Sequence, residues 1–239
     1  MPLPKINTPT YELVLPSSNR KVKYRPFLVR EEKLLIIALE SEDLKQITTA
    51  VIDVLNSCIL TKGTKVEKMA TFDIEYLFLN VRAKSVGEQV EVNVICPDDG
   101  ETTVQMPIDI DAIKVQKNKE HTDIVKLDDD ISLKLKYPSL TEFISSNFDA
   151  DATNDVDTTM HMITSCIDII YNAEESWKAS ESTPKELEDF VEQLNTKQFK
   201  DIENFFNTMP KLSHKINVKN PKTEVESEVV LEGLASFFN

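Results

Sequence analysis

The turn Cys96-Pro97-Asp98-Asp99-Gly100 has the shape of a C-P-x-C-G knuckle, in which two thiolates grip a metal between the arms of a hairpin. Asp99 stands where the second thiolate belongs. The comparable turn Asn220-Pro221-Lys222-Thr223 offers neither cysteine nor histidine, so a tetrahedral site would have one sulfur ligand and little else. The expectation is a structural hairpin without a stoichiometric metal. A second constellation surrounds His161, which on an ideal helix has Asp157 four residues before it, Ser165 four residues after it and Asp168 one turn further on. Base, orienter and hydroxyl would then share one surface. That surface is the polar one, opposite Ile163, Ile167 and Ile170, and no residue pattern supplies a pocket or an oxyanion hole. An exposed helix face is expected. His121 and His214 have no catalytic company in the sequence. The acidic stretch from Asp149 to Asp155 echoes a calcium loop, but Asn154 holds the glycine position and Met160 the position of the bidentate glutamate. With only 4 glycines, phosphate-cradling loops are scarcely possible. No catalytic, cofactor-binding or metal-binding residue is assigned, and the expected class is non-enzymatic.

The elements that carry these groups follow from periodicity. Tyr11, Leu13 and Leu15 alternate with polar residues before Pro16-Ser17-Ser18-Asn19, and Val22 and Tyr24 resume the alternation, which predicts a β-hairpin. Glu31-Glu32-Lys33 then precedes six consecutive apolar residues, Leu34 to Leu39, predicting a helix buried on nearly all sides. Ser41 is placed to cap a second helix with Leu44, Ile47, Val51, Leu55 and Cys58 on one face. A third, from Thr71 to Val86, carries two apolar stripes and leaves Asp73, Asn80 and Lys84 on a narrow polar face, so it is expected at the centre of the core. Val90, Val92 and Val94 form a hairpin with Val104, Met106 and Ile108, and Ile131 to Tyr137 reads as a strand pairing with Val125 and Leu127. Val156, Met160, Ile163, Ile167 and Ile170 at steps of four, three, four and three predict a further helix. Thr183-Pro184-Lys185-Glu186 is a capping box opening a helical hairpin, whose second helix carries Phe199, Ile202, Phe206 and Met209. Ile216 and Val218 pair with Val225, Val229 and Leu231 in a last hairpin.

The fold class is therefore α+β, with two groups of amphipathic helices and several antiparallel β-hairpins. An N-terminal β-hairpin occupies 1–29, a helical segment 30–87, a β-hairpin region 88–138, a second helical segment 139–210, and a C-terminal β-hairpin with an apolar tail 211–239. One or two compact domains with discontinuous parts are expected.

A chain of 239 residues can bury a sizeable core, and no apolar run reaches the roughly 18 residues of a membrane span. The formal charge, 27 basic against 41 acidic residues, is −14, which disfavours nucleic-acid partners. Cys58, Cys96 and Cys166 are scattered and odd in number, which is no disulfide framework. The start of the chain lacks a signal-peptide pattern, so residence in the cytoplasm is expected. What remains is interaction: Phe205 and Phe206 cluster with Phe199, and the chain closes on Leu234, Phe237 and Phe238. Phe205, Phe206, Leu234, Phe237 and Phe238 are the candidate partner-binding residues.

Three blocks then resemble a known family: Arg25-Pro26-Phe27-Leu28-Val29-Arg30-Glu31-Glu32-Lys33, Phe72-Asp73-Ile74-Glu75-Tyr76-Leu77-Phe78-Leu79, and Arg82-Ala83-Lys84-Ser85-Val86-Gly87. They are similar to the baseplate hub assembly family of T4-like contractile-tailed bacteriophages, and the likeness extends through the Cys96 turn to the closing Gly233-Leu234 and Phe237-Phe238. The resemblance implies an assembly factor or minor hub subunit that binds hub proteins of the same phage, without cofactor, membrane, nucleic acid or small-molecule substrate. It implies a place in the host cytoplasm during assembly and in the virion tail baseplate. The competing class is a degenerate zinc-ribbon-like nucleic-acid or protein-binding module, which the missing ligands and the −14 charge disfavour.

Overall fold

A computed structural model describes residues 6–140, 142, 155–233 and 236. In chain order the elements are β1 (Tyr11–Val14), β2 (Lys21–Tyr24), α1 (Val29–Glu40), α2 (Leu44–Cys58), α3 (Thr71–Val86), β3 (Gln89–Ile95), β4 (Thr103–Asp109), β5 (Lys114–Gln116), β6 (Ile124–Lys126) and β7 (Ser132–Leu135). They continue with α4 (Asp155–Cys166), β8 (Ile167–Tyr171), β9 (Ser176–Lys178), α5 (Pro184–Glu192), α6 (Thr196–Thr208), β10 (Lys211–Lys219) and β11 (Glu226–Glu232). The fold is α+β, and its strands form four small antiparallel sheets among the described residues. The chain divides into two compact units, one made of Met1–Val66, Phe72–Gln116 and Lys211–Asn239, the other of Glu67–Thr71 and Lys117–Pro210.

In the first unit α3 supplies the core. Ile74, Leu77, Phe78 and Val81 on one stripe and Phe72, Leu79 and Ala83 on the other are all buried. Leu79 and Ala83 pack with Val90, Val92 and Val94 of β3, with Ile108 of β4, and with Leu212, Val218 and Leu231 of the C-terminal hairpin. β3 pairs with β4 in the register Val92↔Met106, and β10 lies between β11 and the short β5, a partner that the alternation of β10 alone does not reveal. Asp73, expected on a polar face of α3, is instead 1% exposed. Its carboxylate accepts from the Ser17 N–H at 3.0 Å and from the Ser17 hydroxyl, so a long-range hydrogen bond replaces solvent.

The expectation for α1 needs the larger correction. Of the six residues from Leu34 to Leu39 only Leu35 and Ala38 are buried, while Leu34, Ile36, Ile37 and Leu39 are 51%, 49%, 54% and 39% exposed. A continuous apolar run cannot say how many sides find partners, and here α1 has one. The helix ends where Ser41 Oγ donates to the Ala38 carbonyl, and Glu42 takes a left-handed φ of 53°. Asp43, rather than Ser41, caps α2 by accepting from the N–H groups of Lys45 and Gln46.

In the second unit the expected helix from Val156 to Ile170 stops at Cys166. Ile167 to Tyr171 continue as β8, which joins β7 on one side and β9 on the other, giving the order β6-β7-β8-β9. Ile167, Ile169 and Ile170 are β-branched, and β7 presents an open edge, so strand pairing prevails over the helical spacing. The capping box at Thr183 forms as expected, with reciprocal bonds between Thr183 and Glu186 and with Pro184 at the first helical position. Leu133, Ile163, Ile167, Val191, Ile202 and Phe205 make the core of this unit.

Candidate functional site

The two turns shaped like metal knuckles face one another. Cys96-Pro97-Asp98-Asp99-Gly100 closes with the Gly100 N–H on the Cys96 carbonyl at 2.9 Å, and Asn220-Pro221-Lys222-Thr223-Glu224 closes in the same way with Glu224 on Asn220 at 2.9 Å. Gly100 and Glu224 both adopt left-handed φ, 67° and 62°. Leu15-Pro16-Ser17-Ser18-Asn19 repeats the pattern a third time, with Asn19 bonded to Leu15 at 2.9 Å and a φ of 54°. Proline fixes the second residue of each turn, and the fifth must tolerate the left-handed region.

Between the Cys96 and Asn220 turns lie hydrogen bonds instead of ligand spheres. The buried Asn220 amide donates to Asp98 at 3.0 and 3.1 Å and to Asp99 at 2.9 Å, and the Thr223 hydroxyl donates to Asp98 at 2.5 Å. Bonds from the Thr102 hydroxyl and N–H, with that from Asn220, hold the Asp99 carboxyl well below its usual range. Thr223 and then Asn220 lower Asp98 in the same way. Burial, followed by the two aspartates, raises the Cys96 thiol, which keeps it protonated. Among the described residues no group of three or more His, Cys, Asp or Glu is arranged to hold a metal ion. The arrangement is a polar lock between two hairpins.

The His161 constellation comes apart. Because α4 ends at Cys166, Asp168 belongs to β8, where it faces Lys134 at 3.8 Å, and the Ser165 hydroxyl donates to the Met162 carbonyl. His161 remains exposed, and the side chain of Asp157 lies outside the described residues. His121, which the sequence left without company, is the histidine with partners. Its Nδ1 is 3.0 Å from Thr208 Oγ1, its Nε2 is 3.0 Å from the Tyr137 hydroxyl, and its ring packs against Tyr137 and Phe205. Burial lowers its pKa, so neutral imidazole is the stable form in this setting. No local signal could have found the cluster, since Tyr137 and Thr208 are 16 and 87 residues away. Burial likewise pushes the thiols of Cys58 and Cys166 up, to about 11 and about 12.

Of the candidate partner-binding residues, Phe205 is 2% exposed and stacks on Tyr137, with Phe206 edge-on to it and half-buried. Leu234, Phe237 and Phe238, like the acidic stretch 149–154, lie outside the described residues.

Exposed apolar surface is concentrated on α1, and the Arg25-to-Glu31 block sets that helix in place. The Glu31 carboxylate is 3% exposed and accepts from Arg25 Nη2 at 3.0 Å, Arg30 Nε at 2.7 Å and the Leu28 N–H at 2.7 Å. Burial alone would raise its pKa, but these bonds outweigh burial and lower it to about 2. Arg25 in turn reaches the Pro26 carbonyl at 2.8 Å, and the Phe27 N–H donates to Ser85 of α3 at 2.9 Å. The start of α1 is thus pinned by polar groups, while its flanks remain open.

A family model described as T4 bacteriophage base plate protein matches residues 8–239. No curated protein matches, and no solved structure matches. The match covers nearly the whole chain, and the chain belongs to this family of phage base plate proteins. Its class is that of a structural component of the baseplate, whose working surfaces are those that meet other baseplate proteins.

Proposed function

We propose that the protein is a non-enzymatic assembly factor or minor subunit of the baseplate hub, acting by binding hub proteins in the host cytoplasm and reaching the virion tail with them. One observation carries the reading. In a chain of the base plate family, the helix fixed by the Arg25–Glu31 clamp leaves Val29, Leu34, Ile36, Ile37 and Leu39 open on its surface, and such surface commonly marks a protein interface. The expectation for Phe206, Leu234, Phe237 and Phe238 is kept as part of the proposal, whereas Phe205 belongs to the core of the second unit.

The experiment is to express hub proteins of the same phage singly and titrate each with the purified chain by calorimetry. One saturable complex is expected, and its absence with every hub protein refutes hub binding. Mass spectrometry of purified particles and of assembly intermediates separates subunit from factor: a subunit is found in both, a factor only in the intermediates. Truncation after Gly233 is expected to cost about 1–3 kcal/mol of binding, the scale of a lost aromatic anchor. Unchanged affinity removes the tail residues from the surface.

A further inference from the structure

The flank of α1 that faces α3 carries a feature that hub binding in general does not require. A groove of about 260 Å³ runs there, lined by Ile36 and Leu39 of α1, by Phe78, Arg82 and Val86 of α3, and by the edge of β3 at Glu91. Ile36, Leu39 and Val86 are 49%, 39% and 59% exposed. Arg82 Nη1 is buried and has no hydrogen-bond partner among the described residues. Guanidinium does not give up its proton in a protein, so this nitrogen stays a charged donor out of contact with water and without an acceptor. Leaving such a donor unmade is costly. Burial lowers the pKa of the group, which reports the same desolvation.

We infer that this groove is the docking site for an apolar segment of a partner baseplate protein, one that places a single Asp or Glu carboxylate on Arg82. The occupant's chemistry follows from the walls. Apolar side chains on both helices call for an apolar insert, and Arg82, partly exposed in the groove wall, offers its guanidinium to an anionic acceptor, which gives a charge-assisted hydrogen bond. Glu32 and Glu91 line the same groove and oppose a polyanion, so a nucleic-acid backbone is disfavoured and a lone carboxylate flanked by apolar residues is favoured. Lysine or arginine at the edges of the segment would meet those two glutamates. The inference rests on the hub-binding proposal and names the surface and the contact by which binding occurs.

The test uses the full chain, the hub protein that binds it, and the variants Arg82→Met, Ile36→Asp and Val230→Asp. Val230 is 44% exposed on β11 and serves as a control away from the groove. Arg82→Met removes the unpaired donor and keeps an apolar stem, so its urea midpoint is expected to equal or exceed that of the parent while hub affinity falls about tenfold or more, the scale of a lost hot-spot contact. Ile36→Asp is expected to weaken binding similarly with little change in midpoint, and Val230→Asp to change neither. Neutralising the matching acidic residue of the partner should weaken binding to the parent but not to Arg82→Met. Parental affinity in both groove variants overturns the groove while leaving hub binding intact. Binding of no hub protein by the parent overturns both. Sedimentation showing a dimer that Ile36→Asp dissolves makes a second copy the occupant and overturns the assignment to a partner.

Discussion

Helices α1 and α3 lie in the same unit and both read as strongly apolar, yet they end in opposite environments. α3 buries both stripes beneath and beside its neighbours, and α1 buries Leu35 and Ala38 and leaves Leu34, Ile36, Ile37 and Leu39 open. The difference shows that an apolar run measures the demand for burial and not its supply. For the Leu79–Ala83 stripe of α3 the supply is the hairpin β3–β4, next in sequence, and the hairpin β10–β11, distant from it. For α1 the anchor is polar, the Arg25–Glu31 pair, and the remaining apolar surface stays exposed. Buried apolar surface is concentrated in one helix and exposed apolar surface in the other.

The comparison breaks first at Leu77, which is fully buried in α3. Leu77→Asp is expected to cost more than about 4 kcal/mol by burying an unpaired charge, enough to unfold the first unit, as seen in loss of cooperative urea unfolding by circular dichroism. A soluble variant with parental unfolding would place α3 outside the core.

The second test moves the polar anchor of α1. Glu31→Ala is expected to cost about 3–5 kcal/mol, because it removes the carboxylate that pairs with the largely buried Arg25 guanidinium, 12% exposed. Its pH signature follows from the sign of the shift. The folded pKa of about 2 lies below the ordinary 4.5, so the stabilising contribution is complete above about 4.5 and is lost as pH falls through about 2. Urea midpoints measured from pH 6 to pH 2 should fall in the parent and vary less in Glu31→Gln.

The third concerns the lock that keeps the two hairpins against α3. Asn220→Ala removes the amide that joins Asp98 and Asp99, at an expected cost of about 1–3 kcal/mol for lost buried hydrogen bonds. Amide hydrogen exchange should accelerate in β3, β4, β10 and β11 and stay near parental in α1. Equal acceleration throughout would mean that the two helices are not separately supported.

The smallest effect is expected on α1 itself. Leu34→Asp, at a site 51% exposed, should shift unfolding by no more than about 0.5 kcal/mol, the usual range for surface substitutions. A loss comparable with that of Leu77→Asp would show Leu34 to be core and the contrast between the helices to be false.

The amino-acid sequence by itself determined the elements whose signals are local. The ends of α3, the hairpin pairing of the strands at Val92 and Leu133 with their sequence neighbours, and the capping box at Thr183 all depend on nearby residues. Pro16, Pro97 and Pro221 likewise announce three turns. Tertiary structure decided what each element meets. It turned Ile167 to Tyr171 into a strand because β7 offered an edge, and it drew His121 to Tyr137 and Thr208. It buried Asp73 against Ser17 and joined Asn220 to Asp98 across 122 residues. It also exposed the flanks of α1 and left Arg82 Nη1 without an acceptor among the described residues. Periodicity reports which side of a segment is apolar, but burial and hydrogen-bond satisfaction are properties of the partners that arrive, and those come from parts of the chain that no local pattern connects.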